Sequence, residues 1–117
     1  MDFVYTMPNY FESRLIFRRN VLDFIVANDL DGIDIDWEHS LSISAKYMTQ
    51  EDKSNLFALL AELRADLNSL GKNSSSILLS MVTAKRPGGF FFMNQMELEK
   101  ALELVDFISV KCYGYNT

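Results

Sequence analysis

The chain has 117 residues, the size of one ordinary domain, and 49% of them are hydrophobic, which is enough for a packed core. Charged residues make up 23% and are spread along the sequence, which excludes wholesale disorder. The net charge of −5 argues against a nucleic-acid partner, because nucleic-acid binding requires clustered Lys and Arg.

Cysteine content and hydropathy further narrow the kinds of site and the cellular environment that the chain can have. Cys112 is the single cysteine and His39 the single histidine, so an internal disulfide and a Cys/His zinc site are both excluded. A free thiol favours a reducing compartment. No apolar run reaches the roughly 18 residues of a membrane span, so no membrane partner is expected. The N-terminal residues 1–8 do not resemble a secretory signal.

The first predicted elements are a helix and a strand. The apolar residues between Ser13 and Asn28 recur at helical spacing, with one stripe formed by Phe17, Val21, Phe24 and Ile25. Residues 32–38 alternate between apolar and acidic side chains, which is the period of a β-strand. A polar loop, residues 39–48, follows.

A second helix and strand come next in the chain. Thr49 and Asp52 resemble a capping box, and Gly71 suits the left-handed position after the helix. The helix between them carries an apolar stripe of Leu56, Leu59, Leu60, Leu63, Leu67 and Leu70. Residues 73–76 predict a turn, and the apolar run 77–82 predicts a strand covered on both faces.

The last third of the chain repeats the pattern. After a loop at residues 85–89, Asn94 and Glu97 offer another capping signal. The third helix is predicted to carry Leu98, Ala101, Leu102 and Val105, and residues 106–113 predict a third strand. Strands separated by helices pair in parallel through right-handed crossovers, so the predicted fold class is α/β.

Three acids stand out in the strand of residues 32–38. On an extended chain Asp34, Asp36 and Glu38 share one face, with Ile33, Ile35 and Trp37 on the other. Their Cα atoms are spaced by about 6.6 Å, so the acids form one patch. Like charges in a poorly hydrated place cannot all stay ionised, and a carboxyl that holds its proton is what a general acid requires.

Two other interpretations of the patch stay open on the residues alone. The alternation is also typical of an edge strand whose charged face is solvated, where the charges prevent aggregation. The same carboxylates could hold a hard metal ion such as Mg²⁺ or Ca²⁺.

The segment Asp31-Gly32-Ile33-Asp34-Ile35-Asp36-Trp37-Glu38 resembles the D-G-x-D-x-D-x-E signature of glycoside hydrolase family 18, the chitinases and chitinase-like proteins. The segment 105–113 resembles a later strand of that family, which usually ends in Met-x-Tyr-Asp. The resemblance runs from about residue 14 to the C-terminus. It implies that residues 1–117 form part of one family 18 catalytic domain: a partial (β/α)₈ barrel of about three parallel strands, without the ends that close it.

The resemblance also implies a mechanism, which is substrate-assisted and needs neither a cofactor nor a metal. Glu38 would protonate the glycosidic oxygen and later activate water. Asp36 would hold the sugar acetamido group, Asp34 would share a proton with Asp36, and Tyr113 would bind the acetamido oxygen. The implied partner is chitin or a chitooligosaccharide, and the implied location is extracellular.

Two departures from the family pattern concern the third strand. Lys111 stands where the family commonly has Met, and Gly114 stands where it commonly has Asp. A cation near the acids would favour their ionised form, which opposes general-acid catalysis. The implied function is a chitinase that hydrolyses β-1,4-linked N-acetylglucosamine polymers. The alternatives are a chitin-binding lectin without activity, disfavoured by the intact Glu38, and an inactive truncated gene product.

Overall fold

The computed structural model describes residues 10–36, 50–70, 77–84 and 93–111, with the backbone alone for Tyr10, Gln50, Asp52, Ala84 and Lys111. Three helices alternate with three strands in these ranges. In chain order they are α1 (Tyr10–Asn28), β1 (Gly32–Asp36), α2 (Gln50–Leu70), β2 (Leu78–Ala84), α3 (Gln95–Leu102) and β3 (Phe107–Lys111). The predicted α/β order is therefore confirmed.

The three strands form one parallel sheet in the order β1-β2-β3. Asp34 pairs with Ser80 and Ile35 with Met81, while Ser80 pairs in turn with Phe107. Residues paired across parallel strands point to the same side of a sheet. The sheet thus has an acidic face, which carries Asp34 and Asp36, and a helix face, which carries Ile35 and Met81.

The core lies between the helix face and α2. The apolar stripe of α2 is fully buried, as predicted, at Leu56, Leu59, Leu60, Leu63 and Leu67. The helix-face side chains Ile35, Leu79 and Met81 pack in the same cluster. Helix packing of this kind fixes the parity of β1, because a slip of one residue would bury its acids.

Helix α1 packs on α2 through a polar seam as well as through Val21 and Ile25. Arg18 donates to Asp66 from Nε at 2.7 Å and from a terminal nitrogen at 2.9 Å, a two-pronged contact. This hydrogen bond raises the pKa of Arg18 above its ordinary value. Arg14 donates to Glu62 at 2.6 Å and to Asn55 at 2.8 Å.

The ends of the helices follow recognisable chemistry. Asn94 and Glu97 form the predicted capping box of α3, with hydrogen bonds of 2.9 and 2.8 Å. At the end of α1, Asp29 adopts a left-handed φ of 53°, and the Leu30 N–H donates to the carbonyl of Ile25 at 3.0 Å. That pattern is a Schellman ending, with Asp where Gly is commonest. None of the described helices combines the length and apolar character that crossing a membrane requires.

Some expectations need correction. Phe24 is 61% exposed, so it does not belong to the buried stripe of α1. Helix α3 ends at Leu102, and Val105 is buried in the turn that follows it. Strand β2 is covered on both faces along only part of its length, because on the acidic face Leu78 is 45% exposed whereas Ser80 is 6% exposed. The proposed caps at Thr49 and Gly71, the turn 73–76 and the loops 39–48 and 85–89 lie outside the described residues.

Candidate active site

The strand β1 brings Asp34 and Asp36 to the acidic face, as the alternating pattern predicted. Both side chains are exposed, whereas Ile35 between them is only 5% exposed. On the neighbouring strand β2, Ser80 is paired with Asp34 and Val82 is paired with Asp36, so these side chains lie on the same face of the sheet. The two aspartates therefore stand side by side along one strand, on the face that the helices leave open.

A hydrogen bond joins Asp34 to the neighbouring strand. The hydroxyl of Ser80 donates to Oδ1 of Asp34 at 2.7 Å. Ser80 is 6% exposed, so the hydroxyl that donates this hydrogen bond belongs to a buried residue of β2. One oxygen of Asp34 is thus held in a defined direction by a buried donor.

The hydration of the acids differs from the expectation. Asp34 and Asp36 are exposed within the part of the chain that the structure describes, and β1 is an outer strand of its sheet. These two facts also fit a solvated edge strand. The poorly hydrated setting that we expected requires elements beyond the described residues.

The other predicted site residues fall outside the described ranges. Glu38, Trp37 and Tyr113 are among them, so their placement stays a prediction. Lys111 is described through its backbone, which pairs with Ala84 at the end of β3. Within residues 10–36, 50–70, 77–84 and 93–111, no group of three His, Cys, Asp or Glu side chains is arranged to hold a metal ion.

Gly32 explains why the signature carries glycine at the start of β1. A Cβ atom at this position would lie 2.6 Å from the Leu78 carbonyl oxygen and 2.8 Å from the Leu78 Cβ. Glycine permits that close approach of the backbones. The Leu78 N–H also donates to the Asp31 carbonyl at 2.9 Å, so the pairing of the two backbones begins at Asp31.

A second polar cluster lies at the opposite end of the strands. Oδ2 of Asp106 accepts from the Leu79 N–H at 2.8 Å and from Arg64 at 3.0 Å. These contacts, the Leu79 hydrogen bond foremost, hold the pKa of Asp106 below its ordinary value. Arg64 also donates to the Ile77 carbonyl at 2.8 Å. The cluster joins β2, β3 and α2 at the amino ends of the strands. In barrels, residues at that end serve stability, whereas active sites lie at the carboxyl ends of the strands.

Sequence reasoning missed two of these residues. Ser80 lies within the apolar run 77–82, and a lone hydroxyl in such a run is a signal for a specific hydrogen bond. The sequence pattern predicts Asp106 only as the first residue of a strand. Neither partner could be found without the strand register, because both contacts connect residues distant in sequence.

Comparison with known proteins gives a family and a fold. The sequence profile of Glycosyl hydrolases family 18 matches residues 3–117. Chitinase A1 of Niallia circulans is 28% identical over 107 residues, which cover 89% of this chain and 15% of that protein. Probable chitinase 10 of Drosophila melanogaster is 32% identical over 107 residues, which cover 90% of this chain and 4% of that protein. The chain therefore spans a small part of these relatives.

Solved structures agree with the sequence matches. Chitinase ChiW from Paenibacillus sp. str. FPU-7 superposes with a TM-score of 0.68 at 28% identity, covering 92% of this chain and 12% of that one. The class V chitinase from Nicotiana tobaccum gives a TM-score of 0.67 at 24% identity, covering 94% and 29%. The expected fold, three parallel strands of a barrel alternating with helices, is confirmed by these likenesses.

Proposed function

We propose that this chain, which belongs to glycosyl hydrolase family 18, supplies the catalytic strand of a chitinase. The substrate would be a β-1,4-linked polymer of N-acetylglucosamine. The observation that carries the proposal is the placement of Asp34 and Asp36 on the face opposite the helices. A family 18 signature requires that placement, since its carboxylates must face the substrate and not the core.

The proposed reaction is substrate-assisted and retains the configuration of the sugar. Glu38 donates a proton to the glycosidic oxygen while the acetamido oxygen of the sugar attacks the anomeric carbon. The bond to the leaving group breaks, and an oxazolinium-type intermediate forms. Water deprotonated by Glu38 then attacks the same carbon and reopens the ring, so that the proton lost in the first step is restored.

Three further residues assist the acetamido group of the sugar, directly or through a neighbour. Asp36 orients this group and stabilises the positive charge that develops on it, as opposite charges attract most strongly where water is excluded. Asp34 shares a proton with Asp36, because like charges held on one strand are most stable when one proton lies between them. Tyr113 donates a hydrogen bond to the acetamido oxygen.

We also propose that these residues are one part of a larger barrel. On the acidic face Leu78 is 45% exposed and Phe107 is 50% exposed, and large apolar side chains are ordinarily covered. Further barrel strands would cover both residues and would withdraw Asp34 and Asp36 from water. The match to ChiW covers only 12% of that protein, which supports the proposal that this chain is one part of a larger barrel.

The proposed partner is chitin or a chitooligosaccharide, and the proposed location is extracellular. A relative named Secreted chitinase LysM12, from Penicillium expansum, is 30% identical over 97 residues and supports the location. A solved structure of YKL-39 contains chitooligosaccharides, though its 21% identity shows the fold alone.

The replacement Glu38→Gln tests the proposal in the protein expressed from its complete coding sequence. Gln keeps the shape of Glu but carries no transferable proton, so hydrolysis of a chitooligosaccharide should fall below a few per cent of the wild-type rate. Glu51→Gln is the control, because Glu51 is an exposed glutamate of α2 and should change nothing. Both variants should retain the wild-type melting temperature.

Three outcomes would count against the proposal. A Glu38→Gln variant that keeps its rate would refute the role of this residue. A wild-type protein that binds the oligosaccharide without cleaving it would be a lectin. A folded wild-type protein that neither binds nor cleaves it would be an inactive gene product.

A further inference from the structure

We infer that the outer surface between α2 and α3 holds a second binding site, which takes a neutral sugar that carries a small apolar group, such as N-acetylglucosamine. The inference goes beyond the proposed function, because this site is lined by the two helices. The helices cover the opposite side of the sheet from the acidic face with Asp34 and Asp36.

A pocket of about 390 Å³ opens between the two helices. Pockets that bind small molecules span about 300–1,000 Å³, so this one has room for a single small ligand. Its floor is apolar and consists of the buried Phe57 with the half-buried Ala58 and Leu104. At its rim Ser54 and Ala61 are exposed, which gives a ligand access from solvent.

Ion pairs bridge the two sides of the pocket at both of its ends. Lys53 contacts Glu97 at 3.1 Å, and Arg64 contacts Asp106 at 3.0 Å. The pocket residues of α2, positions 54 to 61, all lie between Lys53 and Arg64. The pocket is therefore formed by the packing of the elements around it and does not require a ligand to open it.

The wall at the end of α3 carries one charge of each sign. The Lys100 ammonium lies 4.7 Å from the centroid of the Phe57 ring, and this attraction keeps it at the pocket. Glu103 lies about one helical turn later on the same wall. Among the described residues neither charged group has an ion-pair or hydrogen-bond partner, in contrast to Lys53 and Arg64.

This arrangement favours a neutral ligand that has both donors and acceptors. Lys100 would attract an anion but Glu103 would repel it, and a cation would meet the reverse balance. A sugar hydroxyl can accept a hydrogen bond from the ammonium and donate one to the carboxylate, and hydrogen bonds to charged groups are the stronger ones. The apolar floor then takes the methyl group of an acetamido substituent.

Methyl NMR of the protein expressed from its complete coding sequence tests the inference, with N-acetylglucosamine as the probe. We expect saturable shifts of the Ala58 and Leu104 methyl signals, whether or not the protein hydrolyses chitin. Ala61→Leu should abolish these shifts, because the larger side chain fills the pocket from its exposed rim. Ala65→Leu is the matched control, since Ala65 is an exposed alanine of α2 that does not line the pocket.

Two further variants separate the contributions to binding. Lys100→Met should weaken the binding about tenfold, the equivalent of one lost hydrogen bond to a charged group. Glu38→Gln should leave the shifts of Ala58 and Leu104 unchanged, because the proposed general acid belongs to the other side of the sheet. Melting temperatures establish that each variant is folded.

The contrary outcomes are equally specific. The absence of saturable shifts at Ala58 and Leu104, or equal shifts in Ala61→Leu, would overturn the inference. Shifts of the same signals with sodium acetate and not with the sugar would mean that the pocket binds anions, which would also overturn it. The proposed function is tested independently, through the rate of hydrolysis by Glu38→Gln and not through binding at this pocket.

Discussion

Replacing Asp106 with Asn tests the polar cluster that connects β2, β3 and α2 at the amino ends of the strands. The Asp106 carboxylate accepts hydrogen bonds from the Leu79 N–H at 2.8 Å and from Arg64 at 3.0 Å. Asn can still accept the Leu79 hydrogen bond, but it has no charge for Arg64 to pair with. The variant therefore isolates the charged part of the contact.

The expected loss of unfolding free energy is about 1 kcal/mol. A hydrogen bond to a charged group contributes about 1.5–3 kcal/mol in a buried setting, and an exposed ion pair about 0–1 kcal/mol. The Asp106 side chain is 37% exposed and that of Arg64 is 19% exposed, so the contact lies between these limits and closer to the lower one.

The effect has a defined pH dependence. The folded protein holds the pKa of Asp106 below its ordinary value of 3.8, so the unfolded state binds more protons in the acid range. The stabilisation is complete above the ordinary value and is lost as pH falls through the folded value. The difference between wild type and variant should therefore be full at pH 7 and pH 5 and should disappear toward pH 2.

Urea unfolding of both proteins at a series of pH values measures this difference. Asp31→Asn is the control for the chemical change itself, since Asp31 is an exposed aspartate before β1 and its replacement should leave the stability at pH 7 unchanged. A difference for Asp106→Asn that is absent at pH 7, or that persists unchanged at pH 2, would refute the reasoning.

Three further predictions concern the backbone, the helix seam and the third strand. Gly32→Ala should destabilise the protein by about 1–3 kcal/mol in urea unfolding, because its Cβ would meet the Leu78 carbonyl at 2.6 Å; unchanged stability would contradict that contact. Arg18→Lys should cost about 1 kcal/mol, because Lys cannot make the two-pronged contact with Asp66, and a double-mutant cycle with Asp66→Asn that shows no coupling would exclude it. Lys111→Met should move the alkaline limb of the pH–rate profile to higher pH and raise the rate at neutral pH, because a cation near the acids favours their ionised form and its removal lets the general acid keep its proton. An unmoved limb with a raised KM would mean that Lys111 binds sugar instead.

The order of elements and the parity of β1 could be predicted because each depends on local sequence. The leucine stripe of α2 has helical spacing, and β1 alternates strictly between acid and isoleucine. Packing of the leucines against Ile35 then forces Asp34 and Asp36 onto the opposite face. The capping box of α3 was predictable for the same reason, since Asn94 and Glu97 are three residues apart.

Features that depend on long-range packing could not be predicted. Phe24 fits the helical spacing of α1, but at that end of the helix no described element packs against it, and it is 61% exposed. The contact of Ser80 with Asp34 spans 46 positions of sequence and requires the register of two strands. The exposure of the acids likewise depends on which strands surround β1, a property of the assembled sheet.

The anomeric configuration of the first product tests the central claim most directly. Proton NMR of a chitooligosaccharide mixed with the protein, expressed from its complete coding sequence, distinguishes the two anomers before they equilibrate. Substrate-assisted catalysis by Glu38, Asp36 and Asp34 predicts that the β-anomer appears first. Initial release of the α-anomer, or the absence of any cleavage by the folded protein, would contradict the account.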